Sequence, residues 1–168
     1  MRAPFLALLW RDTKIRRNSP FAVGNVREPS PHSWHLQMPH FRDPRIEKPL
    51  TIFASRVVPD SKSLRPQHTV EPLAELIGRE KVRLDFSEGE EQQLVAAAVA
   101  VDGVVLISWH HEAIPAIKDL LLGDHSPPRK WDKERFDLVW VFTRRAASWR
   151  FEQVPQLLLA GDKPDPIE

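Results

Sequence analysis

Two rhythms of apolar and polar positions divide this chain near residue 50. Ahead of that point periodicity is weak. Residues 16–40 contain Pro20, Pro29, Pro31 and Pro39 together with Gly24 and Asn25. Such punctuation interrupts helix and strand alike, so this stretch predicts loop. The opening run Phe5-Leu6-Ala7-Leu8-Leu9-Trp10 is apolar and short. A signal peptide would continue into a small-residue cleavage site, whereas Arg11, Asp12 and Lys14 follow at once, so the run reads as a strand-like segment.

From residue 50 onward strand and helix patterns alternate. Residues 50–55 (LTIFAS) are apolar and β-prone. Residues 69–77 place Val70, Leu73, Ala74 and Ile77 on one helical face, with Gly78 as the stop. A short strand is expected at 82–86. A second helix is expected at 88–101, its first turn acidic in keeping with the helix dipole. Residues 104–109 (VVLISW) form the strongest strand pattern, a near-continuous apolar run that predicts burial on both faces. A third helix covers 114–122, closed by Gly123. Strands at 136–142 and 149–154 complete the pattern. This alternation predicts a three-layer α/β domain with a largely parallel sheet, in which ligands bind beyond the carboxyl ends of the strands.

Composition changes this picture little. At 168 residues the chain is long enough for one domain with a real core. Its 42% hydrophobic and 28% charged content is that of a globular protein and argues against disorder. Lys and Arg total 24 against 23 Asp and Glu, so net charge demands no nucleic-acid partner. Without cysteine there is no disulfide framework or thiolate chemistry, which fits a reducing cytoplasm. No apolar run approaches the roughly 18–20 residues that span a bilayer, so no membrane partner is expected.

Two segments carry candidate chemistry. The first, Ser63-Leu64-Arg65-Pro66-Gln67-His68-Thr69, leads from a strand end into a helix N-terminus. An arginine there can hold an oxyanion. Taken alone, the segment also admits a plainer reading, with Ser63 or Thr69 capping the helix and Arg65 in solvent. The second, Trp109-His110-His111-Glu112, closes the strongest strand. Neighbouring side chains on a strand point to opposite faces, so the two histidines are expected to differ in role. A surface pair ending the strand is the alternative. No further ligands stand at metal-site spacing, so neither metal nor cofactor is implied.

Together the segments resemble the histidine phosphatases, the phosphoglycerate-mutase-like superfamily. SLRPQHTVEPL at 63–73 is similar to that family's second arginine motif, where threonine follows arginine by four positions. VVLISWHHEAIPAI at 104–117 resembles its second-histidine motif, and RFDLVW at 135–140 and QVPQ at 153–156 resemble its closing strands. The likeness covers about residues 41–162. It implies a phosphoglycerate-mutase-like three-layer fold over 41–168, after a diverged or poorly ordered segment at 1–40. It also implies a pocket for a phosphate anion or phosphorylated small molecule.

In the family a histidine of an Arg-His motif on a central first strand attacks phosphorus, while arginines and a second histidine hold the phosphoryl oxygens. By this resemblance Arg65 matches the second arginine and His111 the second histidine, with His110 in the place of a variable neighbour. Glu112 takes the place of the acid, or is only a solvated start to the next helix. The first motif is absent, since no Arg-His pair occurs in the chain. Its nearest analogue is Leu8-Leu9-Trp10-Arg11-Asp12, where Arg11 matches the motif arginine and Asp12 stands where the nucleophile belongs. An impaired phosphomonoester hydrolase is therefore expected. The alternatives are a non-catalytic domain binding phosphate or a partner, and a small interaction domain in which Arg65 and His111 merely make surface contacts. Oligomeric state is left open.

Overall fold

A computed structural model of the chain describes residues 5–9, 43–157 and 160–168. Among the described residues six strands form one mixed sheet: β1 (Phe5–Leu9), β2 (Thr51–Ala54), β3 (Val82–Arg83), β4 (Val104–Ser108), β5 (Leu138–Arg145) and β6 (Ser148–Pro155). Among the described residues three α-helices intervene: α1 (Arg65–Ile77), α2 (Glu91–Val99) and α3 (Ile114–Leu122). The strand order is β3-β2-β4-β1-β5-β6. The ladders β3·β2, β2·β4 and β4·β1 are parallel, whereas β5 runs antiparallel to both β1 and β6.

The apolar N-terminal run thus becomes a central strand between β4 and β5, drawn from the first forty residues into the same sheet as the rest. The remainder of that stretch, including Trp10, Arg11 and Asp12, lies outside the described residues. β4 is buried along nearly its whole length, as its unbroken apolar run predicts.

Strand alternation separates two cores. On one face α2 (Leu94, Val95, Ala98) and α3 (Ile114, Ile117, Leu121) pack over Phe53, Val105, Ile107, Trp140 and Phe142. On the other, α1 lays Val70, Leu73 and Ile77 against Ile52, Ala54, Leu106, Val139 and Val141. Burying a side chain of this size contributes on the order of 1.5–3 kcal/mol.

The helix ends have local causes. α1 starts at Arg65, four residues ahead of the expected start at residue 69, because Pro66 is pre-set for the first turn. Pro72 interrupts its ladder by withholding the N–H that would reach the His68 carbonyl. α3 ends where Gly123 adopts φ of 72° and donates its N–H to the Asp119 carbonyl at 2.9 Å, a conformation glycine adopts without strain. Among the described residues no helix is long and apolar enough to cross a membrane.

Candidate anion site at the carboxyl edge of the sheet

Register brings the functional segments to one edge. Ala54 pairs with Ser108, and Ser108 with Leu9, so β2, β4 and β1 end level. The apolar runs of β2 and β4 terminate there in two fully buried serines, Ser55 and Ser108. Both are used as fasteners. The Ser108 hydroxyl donates to the Pro66 carbonyl at 2.7 Å. The Ser55 carbonyl accepts the Gln67 side-chain amide at 2.9 Å. These bonds pin the first turn of α1 across the ends of β2 and β4, and Arg65 begins that turn.

Arg65 is half-buried. Its main-chain N–H meets the Ser63 hydroxyl at 3.4 Å, and its carbonyl accepts the Thr69 hydroxyl at 2.8 Å. The helix N-cap is Leu64, with no side-chain cap, so neither Ser63 nor Thr69 fills that role. Among the described residues the Arg65 guanidinium makes no ion pair, unlike Arg56, which meets Glu90 at 3.5 Å. Hydrogen bonds from the Ser87 hydroxyl and main-chain N–H hold the Glu90 carboxyl below the usual carboxylate range, with Arg56 adding to the effect.

The two histidines have different partners, and both lie beyond the end of β4 at Ser108, His111 in a turn, so strand alternation does not set their directions. His110 is buried; its Nε2 lies 3.0 Å from the Ser55 hydroxyl and its Nδ1 3.7 Å from the Glu88 carboxylate. Glu88 also accepts the Ser61 hydroxyl at 2.7 Å. Both ring nitrogens of His110 are thereby directed at protein groups, and the imidazole ties together the loops that follow β2 and β3. His111 is more open, with 19% of its side chain exposed, and its Nδ1 lies 2.9 Å from the Glu112 carboxylate. Glu112 is 66% exposed and orients that ring. Trp109, fully buried, donates its indole N–H to Glu91 at 2.9 Å.

Arg65 opens the helix that follows β2, and His111 and Glu112 follow β4, so all three lie on segments leaving this edge, while Arg11 lies outside the described residues. Chemically, a guanidinium, an imidazole and main-chain N–H groups at a helix start are donors suited to a tetrahedral oxyanion. Gln67 and Ser55 stand in segments the sequence marks, but their part in organising the edge, and that of Glu88, escaped sequence reasoning. For Ser55 the detectable signal was a polar residue ending an apolar strand run. Among the described residues no group of three His, Asp or Glu side chains is arranged to hold a metal ion. No family model, no curated protein and no solved structure matches the chain.

Proposed function

We propose that this chain is a histidine-phosphatase-like domain of the phosphoglycerate-mutase type, a three-layer α/β/α fold whose carboxyl edge binds a phosphate anion or phosphorylated small molecule. The observation that carries this reading is Arg65. It is half-buried at the start of α1, beside the end of β4, and makes no ion pair among the described residues. A cation held at a helix N-terminus with no carboxylate partner among the described residues is complementary to an anionic ligand. The central place of β1 supports the same reading, since the resemblance puts the family's first strand at the centre of the sheet.

In this reading Arg65 and His111 hold phosphoryl oxygens, and Glu112 orients the imidazole or gives a proton to a leaving group. The nucleophilic histidine motif is missing from the sequence. Hydrolysis is accordingly impaired, and binding is the function that remains. The purified protein incubated with an aryl phosphate at mildly acidic and neutral pH is expected to show no turnover above its Arg65→Ala and His111→Ala variants. Turnover abolished by both substitutions would overturn the impairment and require another nucleophile.

A further inference from the structure

The two ends of the sheet are unequal. At one end β3 is only two residues long and bears Arg83, a length too short to template another strand. At the other, among the described residues, β6 is outermost and runs for eight residues beside β5. An edge of that length presents a row of main-chain donors and acceptors that alternate along the strand.

We propose that the outer edge of β6 pairs with β6 of a second copy of this chain, antiparallel and centred on Phe151. The side-chain sequence of β6 is self-complementary in that register. A two-fold axis at Phe151 sets Arg150 opposite Glu152 of the second copy, and Glu152 opposite the second Arg150. Directly opposed side chains share a face in an antiparallel pair, so two attractive charge contacts form at once. Within one chain Arg150 and Glu152 already lie 3.1 Å apart on the same face, with 56% and 26% of their side chains exposed.

The opposite face matches as well. Phe151 stacks on Phe142 at 5.1 Å and meets Trp140 edge-on at 5.2 Å. Pairing through Phe151 continues this aromatic row from one copy into the next. A one-residue slip from this register would break the charge match and move the aromatic ring away from its counterpart.

Sedimentation equilibrium of the full chain over a range of micromolar concentrations tests the proposal. The expected mass is twice the 19.4 kDa of one chain. Arg150→Glu, which sets like charges opposite each other twice, is expected to weaken the dimer by about tenfold or more. Arg150→Glu combined with Glu152→Arg reverses both charges and is expected to restore it. These positions are on the surface of a strand, and circular dichroism verifies that each variant is folded. A monomer at every concentration, a dimer indifferent to Arg150→Glu, or failure of the double variant to restore association overturns the proposal.

Discussion

Asp137→Ala is expected to destabilise the protein by about 3–5 kcal/mol, the effect of stranding a buried charge. The stranded partner is Arg135. Arg135 and Asp137 are both buried just ahead of β5, with Nε 2.8 Å from Oδ1. The guanidinium also donates to the carbonyls of Asp165 at 2.7 Å and Lys163 at 3.1 Å. The second Asp137 oxygen accepts the Lys163 main-chain N–H at 2.8 Å. One ion pair thus fastens the C-terminal segment to the start of β5, and Ile167 completes the attachment by packing on the aromatic core. Removing the carboxylate leaves a buried cation and frees that segment together.

The same carboxylate sets an acid limit. Burial alone would raise the Asp137 pKa, but hydrogen bonds from Arg135 and the Lys163 N–H outweigh it and hold the group below its ordinary 3.8. A carboxyl depressed in the folded state adds stability that is complete above its unfolded value and lost as pH falls through the folded one. Urea midpoints of the wild type are therefore expected to fall below roughly pH 5, and part of that slope disappears in Asp137→Ala. Identical pH profiles for the two proteins would show that the pair carries no such linkage.

The second large effect is expected at Trp140. Its ring is fully buried, 5.1 Å from Trp131 and 5.2 Å from Phe151. Trp140→Ala is expected to cost about 3–5 kcal/mol, because the opposed helices and strands cannot collapse into the space. Trp140→Phe is expected to cost far less than the volume change implies. The indole N–H has no hydrogen-bond partner among the described residues, so phenylalanine removes an unsatisfied donor as well as some packing. Thermal or urea unfolding of the two variants checks this. Equal losses would mean that the donor is satisfied.

Most of the described elements were legible because their apolar periods are strong. The unbroken run of β4 marks a central strand, and the face of Val70, Leu73, Ala74 and Ile77 marks α1. The start of α1 was not legible, since the apolar face begins only at Val70 while Pro66 sets the first turn. β3 came out shorter than its apolar residues indicate, with Leu84 exposed beyond its end. The direction of β5 was hidden too. Its hairpin to β6 turns through Ala146, at φ of 52°, and Ala147, neither of which is a turn-marking residue. Of the candidate site, the chemistry-bearing residues could be read but not their fastenings. The bonds from Ser108 to Pro66 and from Gln67 to Ser55 join positions whose proximity only the register of β2 and β4 creates.

The anion site is tested most directly by titrating the purified protein with inorganic phosphate while following side-chain imidazole and guanidinium resonances by NMR. Saturable shifts at Arg65 and His111 are expected, with affinity lowered about tenfold or more in Arg65→Ala and largely restored in Arg65→Lys, which keeps the charge. Phosphate that produces no saturable shift, or binds Arg65→Ala as tightly as the wild type, would contradict the account.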